Sequence, residues 1–223
     1  MIAKPVLFIG NKNYSSWSMR PWLALRWAGI AFDEKMVPLG PRDVGPNPTI
    51  VAVSPSGTVP ALALSEGDTI WDSLSICEWA HEMAPDAGLW PINSIARALA
   101  RSASAEMHAG FGPLRQEMPM NVKRRKLAHN LSVGARANVA RIDALLNTLM
   151  QRFDHQGTGW LFGHRTIADA FYGPVATRFR TYNVALSPLT RKWCDTIFAD
   201  ADFKAWEQDA ASETWTIEET DGV

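Results

Sequence analysis

Cysteine is scarce in this chain: two occur in 223 residues, Cys77 and Cys194, far apart and outside any Cys-x-x-Cys pair or mixed Cys/His ligand spacing. That excludes a disulfide framework and a cysteine-held metal site, and leaves both thiols as reduced packing residues. Long hydrophobic runs are also missing, since none approaches the roughly 18 apolar residues that span a bilayer. The opening Met1-Ile2-Ala3-Lys4 leads into a short strand-like run rather than a signal peptide's apolar core, so the expectation is a cytoplasmic protein with no membrane partner. Neither sign of charge is in excess, with 22 Lys and Arg against 23 Asp and Glu for a net −1. Nucleic acid and anionic membranes therefore have no global electrostatic claim on it. The basic cluster Lys123-Arg124-Arg125-Lys126 is read as a solvated helix face. Internal repeats and low-complexity tracts are absent too.

What is present is a core-forming composition, 47% hydrophobic over a length that suits one large or two compact domains. The apolar run Pro5–Ile9 predicts a strand, Trp22, Leu23, Leu25 and Trp27 predict a helix over 16–29, and Phe32 to Leu39 predicts a second strand. The short connection makes this a β-α-β unit with parallel strands. A long Pro- and Gly-rich loop fills 40–58, with a short helix near 47–53. Val59–Leu64 and Thr69–Trp71, joined by the polar turn Ser65-Glu66-Gly67-Asp68, predict an antiparallel hairpin. Asp72-Ser73 then opens a helix with Leu74, Ile76, Cys77, Trp79 and Ala80 inward, ending before Pro85.

After Pro85 the periodicity becomes helical throughout. The domains are therefore placed at 1–84 and 93–223, with a linker at 85–92. Helices are expected at 94–118, 122–152, 167–183, 188–199 and 202–211. Thr166-Ile167-Ala168-Asp169 has the form of a capping box opening a largely apolar helix, the spine of the second domain.

The stretch Asn13-Tyr14-Ser15-Ser16-Trp17-Ser18-Met19-Arg20 sets three hydroxyls at a strand-to-helix junction. Such a junction gathers unpaired N–H groups and the positive end of a helix dipole, which suits an anion or a thiolate. Locally, the same serines suit simple helix capping. Arg20 reads equally as a member of a buried ion pair and as a partly exposed helix cation.

Four motifs in order, Ser15–Arg20, Ser54-Pro55-Ser56-Gly57-Thr58-Val59-Pro60-Ala61-Leu62, Trp71–Trp79 and Ile167–Ala170, resemble those of cytosolic glutathione transferases over nearly the whole chain. The Ser-Ser-x-Ser-x-Arg run places the resemblance in the serine-type, zeta-like and bacterial branch. It implies an α/β plus all-α protein: a thioredoxin-like N-terminal domain (βαβ-ββα), an all-helical C-terminal domain and a homodimer. The implied activity is thiolate attack by glutathione, as co-substrate, on a small hydrophobic electrophile, with no metal. Alternatives are a glutathione-dependent isomerase similar to maleylacetoacetate isomerase, a dehalogenase, and a non-catalytic carrier of glutathione or hydrophobic ligands. A thiol–disulfide reductase is disfavoured, because no cysteine starts the first helix.

The resemblance assigns Ser15 the catalytic task. A serine hydroxyl stays protonated near neutral pH, so it would donate a hydrogen bond to the sulfur rather than act as a base. A thiol with a pKa of about 8.5 is only about 3% ionised at pH 7, and lowering that pKa by about 2 units takes roughly 2.7 kcal/mol. Ser16, Trp17, Thr58, Val59, Pro60, Asp72 and Ser73 are the implied glutathione-binding residues, with a cis Val59–Pro60 bond. Ser73 suits the γ-glutamyl carboxylate and Asp72 the ammonium, although many relatives carry Glu or Gln where this chain has Asp72. Tyr14, Met107, His108, Phe111 and Arg115 are the implied electrophile pocket. Zeta isomerases also use an arginine from the helix after the Ala-Asp pair; Arg178 and Arg180 fall near that position without registering cleanly on it.

Overall fold

The computed structural model describes residues 4–40, 47–64, 67–126 and 130–222. Residues 1–3, residues 41–46 of the Pro- and Gly-rich loop, Ser65-Glu66 of the hairpin turn and residues 127–129 of the helix expected over 122–152 lie outside the described residues. Strand β1 (Val6–Ile9) lies between β2 (Asp33–Met36), to which it is parallel, and β3 (Ala61–Ala63), which pairs antiparallel to it. Strand β4 (Thr69–Trp71) closes the sheet antiparallel to β3, giving the order β2-β1-β3-β4. The β-α-β unit and the hairpin thus form as the apolar runs predict. The second strand is shorter than expected and wholly exposed, which fits Asp-Glu-Lys-Met on a sheet edge.

Helix α1 (Ser16–Trp27) follows β1 and buries ten of its twelve residues, packing on α3 (Ser73–Met83) and on α7 (Ile167–Thr181) of the helical half. Helix α2 (Pro48–Val51) is one short turn in the long loop, capped by Asn47. In α3, Ile76, Cys77 and Ala80 are buried as expected, whereas Leu74 and Trp79 are half-buried against the core. A single 3-10 turn, Pro85–Ala87, leads to α4 (Ser94–Ala109).

The helical half departs from expectation twice. The helix expected over 94–118 is broken into α4 and α5 (Gly112–Glu117), because Gly110 ends α4 in extended backbone and Phe111 turns left-handed at φ 63°. The helix expected from 122 begins instead at α6 (Val133–Phe153). Residues 122–126 are held in irregular backbone by tertiary bonds, Val122 N to Asn13 O at 3.2 Å and Lys126 N to Thr181 O at 2.6 Å. The basic cluster is therefore not a helix face. Lys123 Nζ reaches the Glu213 carbonyl at 2.7 Å, and Arg125 Nη1 the carbonyls of Val122 and Arg124.

Helix α7 is the expected spine, buried at every position but Arg180. Its capping box forms, with Asp169 Oδ2 accepting from the Thr166 N–H at 2.9 Å and hydroxyl at 2.8 Å. The other Asp169 oxygen takes Leu161 N and Trp193 Nε1, so one carboxylate joins two loops and α8 (Pro188–Ala199) to the spine. Helix α9 (Ala201–Ser212) is capped by Asp200, and a last turn, α10 (Glu218–Asp221), had no signal in the sequence.

Candidate active site

Strand β1 ends at Ile9, and the chain turns through Gly10–Tyr14 to deliver Ser15 as the N-cap of α1. Capping and presentation are the same event here, because the Ser15 hydroxyl sits at the helix start where its dipole is positive. Ser15 Oγ lies 2.7 Å from Ser18 Oγ, which itself accepts from the Gly10 N–H at 3.0 Å. The Gly10 N–H already donates to Ser18 Oγ, and either hydroxyl can donate in the Ser15–Ser18 contact; when Ser18 donates, the Ser15 proton is free for another acceptor, and neighbouring hydrogen bonds in such a chain polarise one another. Ser18 is fully buried and belongs to this hydroxyl arrangement.

Ser15 opens onto a cavity of about 710 Å³, within the usual range for small-molecule sites. Its walls include Ser15, Ser16, Trp17, Thr58, Val59, Pro60, Asp72 and Ser73 from the sheet half, with Val59–Pro60 cis as expected. Tyr14, His108 and Arg115 also line it. Met107 and Phe111 do not. Met107 faces the core and gives its carbonyl to Arg115 Nη2, and Phe111 is the left-handed residue at the α4–α5 break, its ring buried. The resemblance implied both for the pocket; Met107, inside α4, turns to the core, and Phe111 is displaced by the left-handed turn that ends α4.

Asp72 is the N-cap of α3 at φ 76° and spends Oδ1 on the N–H groups of Leu74 and Ser75, at 2.8 and 3.3 Å. Its Oδ2 lies 3.2 Å from His108 Nε2, an ion pair across the cavity when the imidazole is protonated. His108 in turn meets the Trp17 ring edge-on at 5.2 Å between centroids. Ser73 is nearly fully buried, and its Oγ has no hydrogen-bond partner among the described residues. An orphaned hydroxyl at a helix N-terminus in the cavity wall fits an arriving carboxylate.

The far wall is cationic. Arg178 is 3% exposed, donates to the carbonyls of Met118 and Pro174, and reaches Ser16 Oγ at 3.3 Å. Burial, and then the charge of Arg115, push its pKa down to about 9, so it stays protonated at neutral pH. Arg115 is held by the carbonyls of Gly110 and Met107, lies over the Trp17 ring at 4.7 Å, and has its pKa lowered by burial. Arg20 lies behind the wall, 4.3 Å over Trp17 and 4.9 Å over Phe171, with no hydrogen bond on any side-chain nitrogen among the described residues. It is neither half of an ion pair nor a partly exposed cation. Sequence reasoning missed Gln116, Met120 and Thr220 as lining residues, and only tertiary folding brings them in. Arg178 was visible as a candidate near the α7 signature but not placeable, since its register depends on how α7 packs on α1.

The fold is that of a two-part α/β and all-α protein whose serine-bearing cavity is lined from both parts. Family models described as "Glutathione S-transferase, N-terminal domain" and "Glutathione S-transferase, C-terminal domain" match residues 14–83 and 122–211, together well over half of the chain. The chain belongs to the glutathione S-transferase family. It is 29% identical over 185 residues to a probable maleylacetoacetate isomerase of Caenorhabditis elegans, covering 83% of each chain. To the maleylacetoacetate isomerase of Pseudomonas aeruginosa it is 26% identical, over 89% of this chain and 93% of the relative. A crystal structure of a glutathione transferase homolog from Burkholderia with bound glutathione superposes with a TM-score of 0.69 at 21% identity, covering 95% of this chain and all of that one.

Proposed function

We propose that this protein is a cytoplasmic, homodimeric glutathione S-transferase that stabilises the glutathione thiolate at Ser15 and directs it at a small electrophile, in the manner of a detoxifying enzyme. One observation carries the reading: a single cavity gathers the Ser15 hydroxyl at a helix N-terminus, the Val59–Pro60 edge of β3 and the orphaned Ser73 hydroxyl. Ser73 and the start of α3 receive the γ-glutamyl carboxylate, and Val59 and Thr58 line the peptide portion. Ser15, backed by Ser18, donates to the sulfur. Asp72, tied to its own helix and to His108, meets the ammonium only by sharing Oδ2. The binding half is assigned to residues 1–84 and the electrophile side to residues 93–223, joined through 85–92.

The glutathione-dependent isomerase is a second reading, favoured by Arg178. This arginine of α7 does enter the cavity, and with Arg115 it makes the electrophile wall cationic rather than purely apolar. Two guanidiniums in a largely buried wall attract a carboxylate-bearing co-substrate. A panel of neutral aryl electrophiles and carboxylated unsaturated ketones, offered with glutathione, separates the readings. Turnover of carboxylated substrates, lost tenfold or more in Arg178→Gln, supports the isomerase; turnover of neutral electrophiles that Arg178→Gln leaves intact supports the transferase. No turnover across the panel, with no retention on immobilised glutathione, contradicts both.

A further inference from the structure

The turn that presents Ser15 is built by the far end of the chain. Residues 10–15 form neither helix nor strand, and within the turn only the Tyr14 and Ser15 N–H groups are satisfied locally, by Asn11 O at 3.0 and 2.8 Å. The Lys12 and Asn13 N–H groups both point to the carboxylate of Glu213, at 2.6 and 3.0 Å, one to each oxygen. Trp206 Nε1 of α9 donates to Lys12 O at 2.9 Å, and Lys12 Nζ pairs with Asp209 at 2.6 Å and with Glu34 at 2.8 Å. Lys123 closes the ring, its N–H on Asn13 Oδ1 at 3.0 Å and its Nζ on the Glu213 carbonyl. Glu213 is the C-cap of α9, so the packed helix fixes where its carboxylate stands.

Resting on the reading of Ser15 as thiolate stabiliser, we propose that Glu213 is a positioning residue for the reaction. Its carboxylate grips two successive backbone N–H groups and thereby sets the turn that aims Ser15 Oγ. A carboxylate receiving two N–H groups makes charge-assisted bonds, roughly twice as strong as neutral ones. Without them the Lys12 and Asn13 amides must find other acceptors, and the turn keeps its Asn11 bonds but loses its tie to α9. Hydrogen-bond donation weakens steeply with misalignment, so a small rotation of this turn costs thiolate stabilisation even where the fold survives.

The test is the pKa of the bound glutathione thiol, read by ultraviolet difference titration, beside thermal stability and steady-state kinetics. Glu213→Ala is expected to raise that pKa by about 1 unit, a tenfold smaller thiolate fraction below both values, and to lower kcat more than it raises KM for glutathione. Glu213→Gln, which keeps one acceptor oxygen and the packing, falls between, and decides the matter if the alanine variant does not fold. Glu207→Gln breaks the ion pair between Glu207 of α9 and Arg180 of α7 and leaves the thiol pKa unmoved, whatever it costs in stability. A wild-type thiol pKa in both Glu213 variants, or an equal shift in Glu207→Gln, overturns the proposal. Ser15→Ala separates the two claims: if it shifts the pKa and the Glu213 variants do not, only the role of Glu213 fails; if it shifts nothing, the reading of Ser15 fails.

Discussion

Arg20 sits wholly inside the protein between the rings of Trp17 and Phe171, its pKa held well below the usual arginine range by burial and then by the charges of Arg115 and Arg178. A buried charge without a carboxylate costs stability, and ring faces repay part of it. The residue that would relieve that cost is an apolar one of similar length. Arg20→Met is therefore expected to melt at the same temperature or higher, while the bound glutathione thiol becomes less acidic because one of three nearby positive charges is gone. A large drop in melting temperature with an unchanged thiol pKa would show instead that Arg20 is held for packing alone. The sequence showed that this arginine belongs to the serine motif, because its spacing from Ser15 is local. Its lack of a counterion was not legible there, since that depends on which residues of α3, α5 and α7 surround it.

Among the elements, α7 carries the most weight, and Asp169 is its anchor. Burial raises the pKa of this carboxyl, against the pull of the Trp193, Leu161 and Thr166 donors. An acid whose folded pKa is raised contributes stability below its unfolded pKa of about 3.9, and that contribution is lost as pH rises through the folded value. At neutral pH the charge is thus an expense, offset by four hydrogen bonds. Asp169→Asn removes the charge but turns an amide N–H₂ toward one pair of these donors, stranding at least one buried N–H. The expected result is a loss of about 2–4 kcal/mol in denaturant unfolding; a neutral or stabilising effect would show that charge burial outweighs the donors.

This element was legible because its start signal is local: Thr166 and Asp169 bond to one another within one turn. Pro188 at the first position of α8 and the Asp200 cap of α9 are likewise local features of those helix starts. The failures lie where distant residues decide. Residues 122–126 have helix-compatible composition, but bonds to Asn13 and Thr181 pull them out of a helix. Phe111 breaks α4 in a conformation that a Gly-Phe-Gly-Pro run permits without declaring. Phe111 left the cavity wall with that break and Met107 turns to the core from within α4, whereas Ser15, Val59, Pro60, Asp72 and Ser73, implied by the resemblance and each standing at or beside a strand or helix start, line the cavity.

For the whole molecule, the segment from β4 to the first turn of α4 exposes Trp71, Met83, Ile92 and Ile95, with Ile92 94% exposed. Apolar side chains of that size left in water are what a protein interface covers. A dimer in sedimentation equilibrium, shifted toward monomer by Ile92→Glu with Ile95→Glu, is expected. A wild-type monomer at micromolar concentration would contradict the homodimer.

The central proposal joins the two ends of the molecule: sheet and helices together would hold the Ser15 hydroxyl where a glutathione sulfur becomes a thiolate. The most direct measurement is the ultraviolet difference titration of the glutathione complex in wild type and Ser15→Ala. The account predicts a bound thiol titrating about 2 units below its free value of about 8.5 in the wild type, returning most of the way in Ser15→Ala, with kcat falling in step. A bound thiol with the same pKa in both proteins would contradict it.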